Sequence, residues 1–250
     1  MTSFMSRHAD AKTPGLAKLV EKQMRNWELT RAQRVVGPTA HEQVADFICI
    51  SREVAAGGHQ IATGVGERLG WAVFGKELLH LMAGDHSYRE PIYAAMDERD
   101  TGWLDSMLQP LMNSSFIRDD YFRRLSETAL AIVRKGNAVF VGRGVDMILP
   151  AEAGLRVRII APRNMRVERY AAREHVSREQ AEREIEYMEE DRAAFIRRHF
   201  GADVGDPGRY DLVINLGRLT HVQAVEVIVR AHELLRQRSE SPTHPAPRQS

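Results

Sequence analysis

The sequence has one cysteine, no long apolar run and almost no net charge. Cys49 has no partner for an intrachain disulfide and lies in an apolar run, so we expect a small core residue in a reducing compartment. No segment is apolar over a length that crosses a bilayer, and the N-terminus shows no signal core. A formal charge of +1 argues against a general nucleic-acid or membrane-surface role. These absences favour a cytoplasmic protein with no nucleic-acid partner and no membrane partner.

The pattern of apolar runs predicts an α/β fold. A strand-like run, "DFICIS", begins soon after Val44, and helical segments separate it from four later runs. The later runs are "WAVF", "AVFVG", "LRVRIIA" and "YDLVINL". Strands that alternate with helices form a mainly parallel sheet, and ligands bind beyond the carboxyl ends of such strands. The loops "SREVAAGG" and "GRG" both follow strands, so we expect them to face one crevice.

Three segments are predicted along the chain. Residues 1–43 form an N-terminal extension with one helix, residues 44–236 form the main domain, and residues 237–250 form a disordered tail. Two interpretations of the helix stay open: it docks on a partner or a second copy in a homodimer, or it covers the domain's own apolar surface. Its apolar residues near helical spacing are Leu16, Leu19, Val20, Met24 and Trp27.

The loop after the first strand has the place of a phosphate-binding loop but lacks its lysine. Gly57 and Gly58 stand at a helix start, where backbone N–H groups and the helix dipole favour a phosphate. The full signature adds a lysine and then a hydroxyl residue after its last glycine. If Gly57 is that glycine, Gly58 and His59 stand in those two positions; if Gly58 is, His59 and Gln60 do. The same residues are also compatible with an ordinary strand-to-helix turn that binds no phosphate. Arg52 either supplies part of the missing charge or is a surface arginine.

The second candidate loop, "GRG", carries Arg143 directly after a strand. An arginine there can donate two hydrogen bonds to a phosphate, or it can lock the loop through a salt bridge. Asp146 is the nearby carboxylate that could hold Mg²⁺, and it could equally cap the next turn. The sequence predicts no dedicated set of metal-ligating side chains.

An arginine-rich segment over residues 163–198 is the third candidate. Arg166, Arg169 and Arg173 share one helical face because they are three and four residues apart. Such a face suits phosphoryl transfer, where catalysis is mostly positioning and charge neutralisation. Many glutamates lie among these arginines, so most of the charges are expected on a solvated surface. The arginines predicted to act in catalysis are Arg169, Arg173, Arg192 and Arg197.

These stretches, in this order, resemble the cytidylate kinase-like family, a divergent branch of nucleoside-monophosphate kinases. The resemblance covers about residues 46–230 and is strongest in "ISREVAAGGHQIA", "ERLGWAVFGKELL", "VFVGRGVDMILP", "IIAPRNMRVERYAAREHVSREQAE" and "DRAAFIRRHFGADVGDPGRYDLVIN". It implies a three-layer P-loop kinase fold with a five-stranded parallel core sheet flanked by helices. It also implies an ATP site over residues 51–60, an acceptor site over residues 74–77 and a lid over about residues 163–200.

The resemblance carries over unevenly to individual residues. The family also lacks the loop lysine, so its absence is a family trait. His59 stands where relatives often have arginine, and Gly75 stands where they tend to have aspartate. Lys76 is retained and is expected to reach phosphate. The aspartate after the "GR" pair is replaced by Gly144.

The leading functional hypothesis is ATP-dependent phosphoryl transfer to a nucleoside monophosphate such as CMP or dCMP. ATP would bind at Ser51, Arg52, Gly57, Gly58, His59 and Gln60, and Mg²⁺ would be held by its phosphates and water. Lys76 and Arg143 would bind the acceptor, and Arg143 would join the lid arginines in catalysis. The alternative is a non-catalytic nucleotide-binding regulatory protein that signals through its N-terminal helix. A scaffold without a ligand is a third possibility.

Overall fold

The computed structural model describes residues 14–33, 44–113, 120–142, 144–150 and 153–240. Within these residues the chain forms a five-stranded parallel sheet with strand order β2-β3-β1-β4-β5. The strands are β1 (Phe47–Arg52), β2 (Ala72–Phe74), β3 (Ala138–Val141), β4 (Leu155–Ile160) and β5 (Leu212–Asn215). The predicted α/β fold with a five-stranded parallel core sheet is confirmed.

Ten α-helices connect and cover the strands in the described part of the chain. They are α1 (Pro14–Gln33), α2 (Gly58–Leu69), α3 (Lys76–Gly84), α4 (His86–Tyr93), α5 (Glu98–Asn113), α6 (Asp120–Lys135), α7 (Val145–Ile148), α8 (Arg163–Glu174), α9 (Arg178–Phe200) and α10 (His221–Glu240). Helix α10 includes residues 237–240, whereas the sequence predicts that the disordered tail begins at residue 237. The rest of the predicted disordered tail, residues 241–250, lies outside the described residues.

The two faces of the sheet bury different sets of side chains, because neighbouring strand residues point to opposite faces. On β1, Phe47 and Cys49 join an apolar cluster with side chains of α1, α3 and α6. Ile48 and Ile50 join a second cluster with side chains of α2 and α10. Helices therefore cover both faces, which makes three layers. Burial raises the pKa of the Cys49 thiol, as expected for a core cysteine.

Helix α1 packs on the chain's own domain. Its residues Val20 and Trp27 are fully buried, and the Trp27 Nε1–H donates to the Ile132 carbonyl at 3.2 Å. The Gln23 side chain accepts a hydrogen bond at 2.8 Å from the Val73 N–H of edge strand β2. The helix thus covers the domain's apolar surface and one sheet edge. No helix in the described ranges is long and apolar enough to span a bilayer.

Candidate active site

The parallel strands bring the predicted loops to one edge of the sheet. Strand β1 ends at Arg52 beside the loop over residues 53–57, and β3 ends at Val141 beside the "GRG" segment. In the loop, Gly57 is the left-handed N-cap of α2, with φ of 88°, and no side chain caps the first turn. The N-terminal N–H groups of α2 are therefore not satisfied by a capping side chain. Ala55 also has a positive φ of 58°, which strains a residue that carries a Cβ.

The side chain of Arg52 occupies the space that a side chain at position 58 would need. A Cβ built on Gly58 would lie 2.7 Å from the Arg52 Cβ and 2.8 Å from its Cγ, so the arginine stem fills that space. Farther out, the guanidinium lies against Gly142, where a Cβ would collide with Nη1. Gly142 has a φ of 74°, a conformation that glycine adopts without strain. The side chain of Arg52 therefore runs from the space over Gly58 to the "GRG" segment.

Helices α8 and α9 hold the front of the loop in place. Arg166 of α8 is buried, and its Nη1 lies 2.5 Å from Glu189 Oε1 of α9. The same Glu189 oxygen accepts a hydrogen bond from the Val54 N–H at 3.2 Å. Arg166 also pairs with Glu53 at 3.2 Å. Sequence spacing places Arg166 on the same face as the predicted arginines, but nothing in the spacing distinguishes this buried anchor from them.

A cavity of about 450 Å³ opens at the carboxyl ends of β1 and β3, and its lining includes Ser51 and Arg52 but neither Gly57 nor Gly58. Four of the sequence-predicted site residues line it: Ser51, Arg52, Lys76 and Arg192. The cavity is also lined by Asp146, which the sequence offered as a magnesium ligand or a cap, and by side chains that the sequence did not single out: Tyr187, Asp191, Arg209 and Tyr210. Gly142 and Gly144 lie in its wall on either side of Arg143, whose own position falls outside the described residues.

Polar side chains in the cavity wall are connected to one another. Ser51 Oγ accepts hydrogen bonds from Arg158 Nη1 at 2.9 Å and from the Tyr210 hydroxyl at 3.3 Å. Arg209 Nη2 contacts Asp146 Oδ2 at 2.9 Å. Burial raises the pKa of Asp146, and the charge of Arg209 opposes that rise. The wall therefore offers a paired carboxylate, hydroxyl groups and several cations to a polar ligand.

Helix α9 closes one side of this cavity. The Arg192 Nη1–H donates to the Arg52 carbonyl at 3.4 Å, which joins the helix to the end of β1. At Gly144, with φ of 66°, a Cβ would collide with the ring of Phe200 and would lie 3.1 Å from Ile196 Cδ1. Helix α9 therefore packs against Gly144 too closely to leave room for a side chain there.

The other predicted site residues lie outside the cavity lining. His59 and Gln60 are exposed in the first turn of α2. Arg173 is exposed, pairs with Glu174 at 2.7 Å and lies over a tyrosine ring of its own helix. Arg197 is exposed near the end of α9.

Arg169 lies near the loop rather than near the cavity. Its Nη1 is hidden from solvent and has no hydrogen-bond partner in the described part of the chain. The same holds for Nε2 of His221, the first residue of α10. A Cβ on Gly57 would collide with that Nε2, so the imidazole lies against the glycine bend. Burial and the charge of Arg169 lower the pKa of His221.

The surroundings of the loop fit a bound polyphosphate. Arg169 Nη1 and His221 Nε2 are hidden from solvent and have no hydrogen-bond partner among the described residues, and the adjacent helix N-terminus lacks a side-chain cap. The described residues include no group of three or more side chains arranged to hold a metal ion.

Known proteins share parts of this sequence and fold. A cytidylate kinase from Pyrococcus horikoshii is 26% identical over 163 residues, which cover 65% of this chain and 84% of that protein. A crystal structure of an uncharacterized protein from Eubacterium ventriosum matches with a TM-score of 0.54 at 21% identity. That match covers 75% of this chain and 98% of the other, and it shows a shared fold.

A family-level comparison extends over most of the domain. The profile of the cytidylate kinase-like family matches residues 47–218, from the first strand to just beyond the last. The matched region includes the glycine loop, the "GRG" segment and helices α8 and α9, whereas α1 and α10 lie outside it. Because the match covers more than half of the residues, the chain belongs to the cytidylate kinase-like family.

Proposed function

We propose that this protein transfers the γ-phosphoryl group of ATP to a nucleoside monophosphate, with CMP and dCMP as the first acceptors to test. The observation that carries the proposal is the cavity at the carboxyl ends of β1 and β3, where Ser51, Arg52, Lys76 and Arg192 come together. ATP would bind with its phosphates at Gly57, Gly58 and the start of α2. His59 and Gln60 would lie at the edge of this site. The acceptor phosphate would lie near Lys76 and Arg143.

Arg52 is proposed to supply the charge that the loop lysine provides elsewhere. Its stem fills the space over Gly58, and its guanidinium lies against Gly142 in the wall of the cavity. An arginine in this place can donate several hydrogen bonds to phosphate oxygens. Phosphoryl transfer demands positioned positive charge more than a particular side chain, so an arginine from outside the loop is chemically sufficient.

The lid arginines are proposed to stabilise the transferring group. Arg192 already lines the cavity, and Arg169 has a nitrogen without an acceptor near the loop. Arg173 and Arg197 are exposed, so they would reach the phosphoryl group only after movement of α8 and α9. A phosphate acceptor is already an anion, so the reaction needs no general base. Mg²⁺ would bridge the nucleotide phosphates and neutralise developing charge.

The alternative is a nucleotide-binding regulatory protein that transfers no phosphoryl group. One observation favours it: Glu189 accepts the Val54 N–H, so a carboxylate already lies at the front of the loop. A negative side chain there opposes the approach of phosphate. The proposed homodimer through α1 has less support, because the apolar face of that helix is buried on its own domain.

One experiment separates transfer from binding alone. Purified protein is incubated with ATP, Mg²⁺ and a panel of nucleoside monophosphates plus small-molecule acceptors of other kinases, with ADP release and thermal shift read together. The proposal predicts ADP release that depends on a nucleoside monophosphate. Nucleotide-dependent stabilisation without ADP release would favour the regulatory alternative, and release only with a non-nucleotide acceptor would change the substrate class.

Two variants make the panel specific to the proposed site. Arg192→Gln should lower kcat at least tenfold, since removal of a hydrogen bond to charged phosphate costs about 1.5–3 kcal/mol. Arg178→Gln is the matched control, because Arg178 lies on the same helix, is 54% exposed and pairs with Glu182 at the surface. An equal loss in both variants would show that the effect does not come from the cavity.

A further inference from the structure

The start of α10 places a histidine against the glycine loop. His221 lies outside the region that matches the family profile, which ends at residue 218. Its Nε2 would collide with a Cβ on Gly57, so the imidazole lies beside the left-handed bend that begins α2. That nitrogen is hidden from solvent and, within the described ranges, has no hydrogen-bond partner. A polar atom that is hidden from solvent and has no hydrogen-bond partner is unfavourable unless a ligand supplies that partner.

Arg169 approaches the same place from α8. Its Nη1 is also hidden from solvent and, in the part of the chain described, has no acceptor. The two side chains are close enough for the arginine charge to act on the imidazole. Two hidden nitrogens that lack a hydrogen-bond partner among the described residues, one of them beside the uncapped N-terminus of α2, form an arrangement that an anion would stabilise.

We propose that His221 contacts the phosphates of the bound nucleotide. Its Nε2–H donates a hydrogen bond to a phosphate oxygen that lies between the imidazole, Arg169 and the start of α2. This inference rests on the proposed nucleotide site and adds to it a residue from beyond the family match. The position of His221 also gives a second reason for glycine at position 57. The bend needs the left-handed conformation, and a side chain there would collide with the imidazole.

The proposed contact makes nucleotide binding depend on pH. In the free protein, burial and Arg169 lower the pKa of His221, so the neutral imidazole predominates near neutral pH. Among the described residues, no carboxylate is found to oppose these two effects at His221. Bound phosphates bring negative charge to the imidazolium and raise its pKa. Binding should therefore take up protons, and ATP affinity should rise as pH falls from about 7.5 to about 6.

Calorimetric titration of the full chain tests this proposal. ATP with Mg²⁺ is titrated at both pH values, in buffers of different ionisation enthalpy, into the wild type, His221→Gln and His221→Ala. The proposal predicts that His221→Ala weakens ATP binding roughly tenfold or more at about pH 6 and loses proton uptake relative to the wild type. Nucleotide phosphates titrate in the same range, so the difference between variants is the quantity to read.

Control titrations identify the source of any change. His175→Asn removes an exposed histidine at the end of α8 and should bind ATP like the wild type. Tripolyphosphate should show the same loss in His221→Ala, whereas adenosine should not, since it has no phosphate.

The outcomes distinguish this inference from the proposed function. Unchanged affinity and proton uptake in both His221 variants would overturn the phosphate contact and leave the nucleotide site intact. Tighter binding in His221→Ala would also overturn it, because the imidazole would then obstruct the loop. Failure of the wild type to bind ATP or tripolyphosphate would overturn the inference and the proposed nucleotide site together.

Discussion

Substitution of Gly58 by alanine tests the packing of Arg52 over the loop. The new Cβ would lie 2.7 Å from the Arg52 Cβ, which belongs to the rigid stem of the side chain. Overpacking of this kind costs about 1–3 kcal/mol, and the better helix propensity of alanine returns up to about 1 kcal/mol. We therefore expect Gly58→Ala to lower the free energy of unfolding by roughly 1–2 kcal/mol. Urea denaturation measures this change.

A double-mutant cycle attributes the cost to Arg52. In an Arg52→Gly background the stem is gone, so Gly58→Ala should become neutral or stabilising, with a coupling energy of about 1–2 kcal/mol. Gly102→Ala is the matched control, since Gly102 is also helical and a Cβ there would meet nothing within 4 Å. That control should stabilise by about 0.5–1 kcal/mol. A coupling energy of zero would refute the explanation that the Arg52 stem excludes a side chain at position 58. A Gly58→Ala variant as stable as Gly102→Ala would refute it too.

Further predictions concern stability. Gly144→Ala should destabilise by about 1–3 kcal/mol in urea denaturation, because φ is 66° and the new Cβ meets the ring of Phe200. Burial alone would raise the pKa of Asp100. Hydrogen bonds from the Lys135 side chain, the Asp97 N–H and the Arg134 side chain instead hold that pKa at about 2. This carboxylate should therefore contribute about 2 kcal/mol that is present above about pH 4 and lost as pH falls toward 2, and Asp100→Asn should remove that pH dependence in thermal unfolding. Trp27→Ala should cost about 3–5 kcal/mol in urea denaturation if α1 is an integral part of the domain, and little if α1 is detached.

The fold was predictable because it depends on local patterns. Each strand is a short apolar run, and the helix after β1 ends at Gly70, whose φ of 70° suits a glycine C-cap. The position of α1 was not decided by its own spacing, since an amphipathic helix looks the same on its own domain or on a partner. The edge of β2 and the Ile132 carbonyl, far along the chain, provide its contacts.

The site was only partly predictable, because its members depend on tertiary contacts. Arg166 and Arg173 share a helical face by spacing, yet Arg166 is buried between carboxylates of the loop and of α9, and Arg173 is exposed. Arg209 ends a short 3₁₀ helix with no periodic signal, and its role in the cavity comes from the contact with Asp146. His221 is a lone histidine at a helix start, which by itself predicts nothing.

The central claim is that a loop without lysine binds the ATP phosphates with the help of Arg52. Titration of a non-hydrolysable ATP analogue with Mg²⁺ into the wild type, Arg52→Lys and Arg52→Gln tests it most directly, with adenosine as the ligand without phosphate. We expect saturable binding by the wild type, a loss of roughly tenfold to a hundredfold in Arg52→Gln, and a smaller loss in Arg52→Lys. Adenosine binding should not change. Equal affinity of the wild type and Arg52→Gln for the analogue would contradict the claim.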